Sequence, residues 1–354
     1  MRILYGVVGE GMGHATRSKV VIEHLRERGH KVKVVVSGRA YHFLKQYFDD
    51  VVEIRGLTIQ YDGNTVDRDG SLLKNVVVAP GLLLANAKAY FQYVAPFRPH
   101  LCVSDFDSFA YLFGKRHGLP VISIDNQQII HKCRHDDDIK KGIKADFQAT
   151  RAFVKAKLPG CDHYVITTFF YPKVREKFEG KVTLVPPILR EAVLRAQPSR
   201  GTHVLVYQTS TSDTTLLPAL NRLSDQNFIV YGLRRHEIVG NATLKDFDEA
   251  GFVNDLASAR AVVSNGGLTL LSEALYLGKP IFSVPVRHQF EQEMNARYIE
   301  KLGYGLASPK MDADVLGAFL REEYGFARRV REHRQTGNEL LFQTLDHLLK
   351  NLGT

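Results

Sequence analysis

His14 lies in the glycine-rich stretch "VGEGMGHATRS" (8–18), directly behind the first apolar run of the chain. Gly9, Gly11 and Gly13 allow tight turning and close approach of a ligand. A histidine where a helix starts meets the positive end of the helix dipole, which favours the neutral ring that a general base requires. Capping or packing of the loop is the competing role for that ring. The spacing fits the GxGxxG dinucleotide pattern poorly. Counted from Gly9 and Gly11, His14 stands where the third glycine belongs, with Ala15 after it, and "VVVSGRA" offers Ser37 and Arg39 where that pattern closes its second strand with an acid. A nicotinamide cofactor is therefore not expected. In "PHLCVSDFDS", Asp105 ends another apolar run. A carboxylate beside His14 would orient the imidazole and stabilise it once protonated. Asp107, two residues on, makes an Asp-x-Asp pair suited to a metal, or else caps the helix "SFAYLFGKRHG".

The second constellation is "VSNGGLTLLSEALYLGKPIFSVPVRHQFEQEMNA" (263–296). An apolar run leads to Ser264-Asn265-Gly266-Gly267, and a helix is expected to begin near Leu268. A diphosphate at that N-terminus would meet free backbone N–H groups and the positive dipole end. Glu273, nearly two turns into the helix, can accept hydrogen bonds from vicinal hydroxyls such as those of a ribose. Glu291 and Gln292 offer acceptors and donors for a second sugar, although an isolated Glu-Gln pair also suits a solvated helix start.

The elements that must position these groups are legible as alternation. "RILYGVV" (2–8), "KVKVVVS" (31–37), "HLCVSD" (100–105) and "PVISID" (120–125) read as strands, with helical patterns over 19–29 and 108–118. Strand–helix alternation predicts a parallel sheet with crossover helices. "VPPILREAVLRAQPSRG" (185–201) reads as a linker, and the alternation restarts over 203–210, 228–232, 260–267 and 279–285. This predicts two doubly wound α/β domains over residues 1–190 and 200–354 that face a cleft. From about Ala327 the chain is helical and polar, and its end is expected to cross the domain junction and pack back on the first domain. Ligands of such sheets bind outside the carboxyl ends of the strands, where all the singled-out residues fall.

Composition narrows the classes. The 354 residues are 44% hydrophobic and 24% charged, enough apolar material for two cores and too little net charge for disorder. No apolar run reaches the ~18 residues of a membrane span. The chain enters a strand at once, so no secretion signal is expected. Three scattered cysteines fit a reducing compartment and no structural metal. Lys and Arg outnumber Asp and Glu by 31 to 20 in residues 1–200, against 16 to 18 in residues 201–354. Solubility, an anionic substrate, nucleic acid or an anionic membrane surface would each account for that imbalance.

The stretch "GGLTLLSEALYLGKP…VP…EQEMNA" resembles the donor-binding signature of two-domain, metal-independent UDP-sugar glycosyltransferases. These are the GT-B group that includes the bacterial lipid II N-acetylglucosaminyltransferase and the UDP-glycosyltransferases of plants and animals. "GEGMGHATRS" resembles the first loop of relatives in that superfamily, and the likeness spans nearly the whole chain. The resemblance implies two Rossmann-like domains facing a cleft. It places Gly266, Gly267, Leu268 and Thr269 at the donor diphosphate, Glu273 on the ribose, and Phe252 and Val253 against the base. Glu291 and Gln292 would hold the donor sugar, and Thr209 and Ser210 would contact the phosphates. His14 would be the catalytic base with Asp105 as its partner, and Gly11 and Gly13 would make room for the acceptor.

Two departures stand out. Asn265 occupies the place where many relatives carry a cation eight residues before the glutamate, so Arg17, Arg234, Arg235 or His288 would have to supply that charge. Gln208-Thr209-Ser210 replaces the expected Gly-Gly-Ser. Arg17 is also a contact for an acidic acceptor.

The expected reaction is inverting transfer of a sugar from UDP to an acceptor hydroxyl, without metal or other cofactor. The alternatives are a UDP-N-acetylglucosamine 2-epimerase-like enzyme, a metal-dependent transferase using Asp105 and Asp107, and a non-catalytic nucleotide-sugar-binding subunit. The apolar stretches "NVVVAPGLLLANA" (75–87) and "YFQYVAPF" (90–97), set in a basic domain, suggest a lipid-linked or envelope-related acceptor. They also suggest a peripheral place at the inner face of a membrane for an otherwise cytoplasmic protein, with no nucleic-acid partner.

Overall fold

The computed structural model describes residues 1–9, 11–56, 60–62, 65–67, 86–208, 214–286, 289–333 and 336–353. The chain divides into two units. The first comprises Met1–Gln60, Asp67–Ile188 and Gly337–Thr354, and the second Tyr61–Val66 with Leu189–Thr336.

The first unit carries strands β1 (Arg2–Val7), β2 (Lys31–Val36) and β3 (Val51–Glu53). After the short pair β4 (Gln60–Asp62) and β5 (Thr65–Asp67) come β6 (Leu101–Asp105), β7 (Val121–Asp125), β8 (His163–Thr167) and β9 (Val182–Val185). Seven of them form one parallel sheet in the order β3-β2-β1-β6-β7-β8-β9. The central strands β6 and β7 are buried along their whole length, as expected where helices cover both faces. Strand order reverses between β1 and β6, so the crevice of this sheet opens at their carboxyl ends.

The second unit repeats the plan with β10 (His203–Tyr207), β11 (Asn227–Tyr231), β12 (Glu237–Val239), β13 (Ala242–Lys245), β14 (Ala261–Ser264), β15 (Ile281–Ser283) and β16 (Gly305–Ala307). Their order is β12-β13-β11-β10-β14-β15-β16, all parallel except β12 against β13. The reversal here falls between β10 and β14.

The polar helical stretch, expected as a helix or helix pair, is a pair of helices that belong to different units. Helix Ala313–Glu332 buries Leu316, Phe319, Leu320 and Phe326 in the second core. Helix Glu339–Leu352 buries Leu341, Leu345, Leu348 and Leu349 in the first. That last helix is also held by His24, whose ring stacks on Phe342 at 4.0 Å and whose Nε2 lies 2.8 Å from Asp346 Oδ1. Within the described residues, no helix is long and apolar enough to cross a membrane. The stretch 75–85 lies outside them. Of the aromatic stretch that follows, Phe91 is 72% exposed and Tyr93 is about two-fifths exposed.

Candidate active site

The glycine-rich stretch is more helical than its sequence suggests. Helix Met12–Glu27 begins inside it, with Gly11 as N-cap at φ +90°. That conformation is left to glycine because a Cβ would clash with the backbone. His14 and Arg17 are therefore three residues apart on a helix and share one face. Both reach Asp105, because Val7 at the end of β1 pairs with Asp105 at the end of β6.

Asp105 gathers four donors. Its Oδ1 lies 2.8 Å from His14 Nδ1 and 2.5 Å from Arg17 Nη2. Its Oδ2 accepts from Arg17 Nε and from Ser18 Oγ, each at 2.9 Å. The carboxylate is buried at 1% exposure, whereas the His14 side chain keeps 15%. Burial alone would push the Asp105 carboxyl upward. The Arg17 guanidinium and then His14 outweigh it and hold the group well below the usual carboxylate range.

Arg17 corrects its sequence reading. A contact for the leaving group or an acidic acceptor needs an outward guanidinium, whereas Arg17 is buried and turned inward, with Nη1 donating to Asn126 Oδ1 at 2.8 Å. Its charge is taken up by Asp105. Asn126, just beyond β7, and Ser18 were missed in the sequence. Ser18 adjoins Arg17, but nothing in the spacing links Asn126 to either residue.

Asp107 takes the capping role of its two readings. Its side chain accepts from Ala110 N at 2.8 Å at the start of helix Ser108–His117. Burial pushes its carboxyl up to about 6.

The second unit offers a site made largely of backbone. β14 ends at Ser264, Gly266 takes φ +88°, and Gly267 is the N-cap of helix Leu268–Tyr276, with no side chain capping it. Leu268 is buried and Thr269 half-buried in the first turn. The bend at Gly266 is held from below. Asn295 Nδ2 donates to Gly266 O at 3.0 Å, and a Cβ at Gly266 would meet Gln292 O at 2.9 Å and Ser283 Oγ at 3.0 Å. A Cβ at Gly267 would meet nothing within 4 Å, so the loop is open there. Asn265 is buried, and its Nδ2 donates to Val284 O at 3.1 Å.

Glu273 is buried and holds Arg190 in a two-point fork, Nε to Oε1 and Nη2 to Oε2, both at 2.8 Å. Arg190 Nη1 also donates to Glu249 Oε1 at 3.1 Å. Burial pushes the Glu273 carboxyl up, against the pull of Arg190. Arg190 was read only as a linker residue, and 83 positions separate it from its partner.

Phe252 is 3% exposed and meets Tyr207, Tyr231 and Phe247 edge-on or tilted, while Val253 is 4% exposed. Glu291 and Gln292 lie in the first turn of helix Phe290–Lys301, and Gln292 Oε1 accepts from Val286 N at 3.0 Å. Gly13 lies in the first turn of helix Met12–Glu27. Arg235 pairs with Glu237, and Arg234 takes a positive φ. Thr209, Ser210 and His288 lie outside the described residues.

Two Rossmann-like α/β domains, each with a strand-order reversal in its sheet, give the fold of GT-B glycosyltransferases. CalG4, the calicheamicin glycosyltransferase, superposes with a TM-score of 0.69 and 16% identity over all of both chains. A UGT2 of Phytolacca americana, solved with UDP-2-fluoro-glucose and pterostilbene, matches with a TM-score of 0.62 and 15% identity, covering 94% of this chain and 93% of that one. The chain belongs to glycosyl transferase family 1, whose sequence profile matches residues 1–323. An uncharacterized glycosyltransferase of Methanosarcina acetivorans is 23% identical over 374 residues, covering 96% of this chain and 95% of its own.

Proposed function

We propose that the enzyme transfers a sugar from a UDP-sugar to an acceptor hydroxyl with inversion and without a metal. The observation that carries this reading is the contact between His14 Nδ1 and Asp105 Oδ1 at the carboxyl end of the first sheet. His14 Nε2 takes the hydroxyl proton, and the oxygen attacks the anomeric carbon. The bond from that carbon to the diphosphate oxygen breaks, and UDP leaves with the electron pair. Asp105 balances the charge that the imidazole gains.

The donor diphosphate sits against Gly266, Gly267, Leu268 and Thr269, where uncapped N–H groups and the helix dipole offset its charge. Glu273 serves the ribose with the lone pairs that the Arg190 fork leaves free, a carboxylate having about four acceptor sites. Phe252 and Val253 support the base, and Glu291 and Gln292 hold the sugar. The UDP-2-fluoro-glucose in the Phytolacca americana enzyme supports a UDP-sugar as donor. The basic excess of residues 1–200 supports an anionic or lipid-linked acceptor at a membrane surface.

UDP release from a panel of nucleotide sugars and acceptors tests the reading. The His14→Gln variant should lose about 10²–10⁴-fold in turnover while binding UDP as before, and a chelator should leave the wild-type rate unchanged. Near-wild-type turnover in His14→Gln would overturn the assignment of the base.

A further inference from the structure

We propose that Arg17 is a positioning residue for the His14–Asp105 pair: it clamps the carboxylate that decides which imidazole nitrogen is left free to take a proton. The inference rests on the reading of His14 as base.

The argument is one of hydrogen-bond accounting. Arg17 grips both oxygens of Asp105 through Nε and Nη2, and its third nitrogen is anchored on Asn126. Arg17 Nη2 also lies 2.6 Å from His14 Nδ1. A guanidinium only donates. The neutral ring therefore has two exclusive states. In one, Nδ1–H donates to Asp105 and Nε2 is bare and basic. In the other, bare Nδ1 accepts from Arg17 and Nε2 carries the proton, so it cannot act as a base. The second state sets a ring lone pair 2.8 Å from a carboxylate oxygen with no proton between them. The first avoids this repulsion, because Nδ1–H and Arg17 Nη2, two donors 2.6 Å apart, share the anionic acceptor Oδ1. By fixing Asp105 in an ionised, accepting state, Arg17 selects the ring form with a free Nε2.

The charges around the pair leave this task to Arg17. Tyr5 on β1 and Asp125 on β7 are both raised by burial, and both interact with Asp105 and with Arg17. Asp107 faces the pair from beyond β6, and Lys157 in turn faces Asp107. Among the described residues Arg17 is the permanent cation in contact with Asp105, and its charge is the largest influence keeping that buried carboxyl ionised.

The test is the pH dependence of kcat and of donor KM in Arg17→Met, with folding checked by thermal melting. Asp105 would remain buried without its cation and take a proton at higher pH. The acid limb of kcat should move up by about one pH unit, kcat at neutral pH should fall about tenfold or more, and donor KM should stay within about twofold. Arg17→Lys restores the charge without the fork, so the limb should return toward wild type while kcat stays low. A folded Arg17→Met variant with an unmoved acid limb would overturn the inference.

If Arg17→Met does not fold, Asn126→Ala removes one anchor of the guanidinium and takes its place. A smaller upward shift is expected there, and no shift overturns the inference. His14→Gln, run in parallel, separates the two readings. If it keeps wild-type turnover, the base assignment fails. If it abolishes transfer while Arg17→Met leaves the limb unmoved, only the role of Arg17 fails.

Discussion

The two units share a topology and place different groups at the buried strand ends beside its strand-order reversal. In the first sheet the last residue of β1, Val7, pairs with Asp105, and in the second the last residue of β10, Tyr207, pairs with Ser264. At the same register one unit has a buried carboxylate with four donors on it. The other has a serine whose Oγ accepts from Gly266 N at 3.2 Å, followed by two glycines. A site made of titratable side chains controls where protons sit. A site made of backbone N–H groups meets a large anion without any proton balance. The difference shows that a doubly wound sheet supplies only the place for chemistry, and that the residues beyond its strand ends decide what kind is done.

That contrast has an energetic side. Asp105→Asn should leave the Arg17 charge buried without its partner, at a cost of about 3–5 kcal/mol in urea unfolding. Ser264→Ala at the matching register loses one neutral hydrogen bond, worth about 1 kcal/mol. Equal costs at the two positions would end the claim that charge holds the first of these strand ends and not the second.

The glycines sharpen the second half of the comparison. Gly266→Ala forces a side chain into φ +88° and into contact with Gln292 O, and should cost about 1–3 kcal/mol. Gly267→Ala faces open space at φ −66° and should leave stability almost unchanged. Its methyl group would nevertheless stand where the proposed diphosphate lies, so calorimetry should find weakened UDP binding in a stable protein. Unaltered UDP affinity in Gly267→Ala would argue against a diphosphate at that helix start.

The last expected effect concerns Asp107 and depends on pH. Its carboxyl is raised in the folded protein, so its protonation favours folding. That contribution is fully present below the ordinary carboxylate value near 4 and is lost as pH rises through about 6. Asp107→Asn keeps a capping oxygen and carries no charge. It should be more stable than wild type above pH 6, with the gap closing toward pH 4, as thermal melts across that range would show.

Much of this was legible along the chain. The apolar runs marked the central strands of both sheets, since buried parallel strands must be apolar on both faces. Asp105 stood out because an acid at the end of such a run has few structural reasons to be there. Short edge strands such as β12 and β16, with three residues each, left no comparable pattern. A helix start at His14 was legible, but the glycines before it locally argue for a loop and blur the first residue, Met12. Packing against the sheet supplies stability that helix propensity does not.

The sequence by itself determined two α/β domains, the strand ends at which ligands are met, and the types of group available there. These follow from local periodicity, which is a property of neighbouring residues. Only the tertiary structure decided the pairings. Arg17 turns inward onto Asp105 and Asn126, 88 and 109 positions away, and Arg190 spans 83 positions to Glu273. Such partners are chosen by strand order and register. They become compulsory because a buried charge without a counter-charge costs more than the fold can bear. The stretch from Gly11 to Ser18 contributes both a proposed base and the cation that orients it, because one turn of helix sets them on the same face.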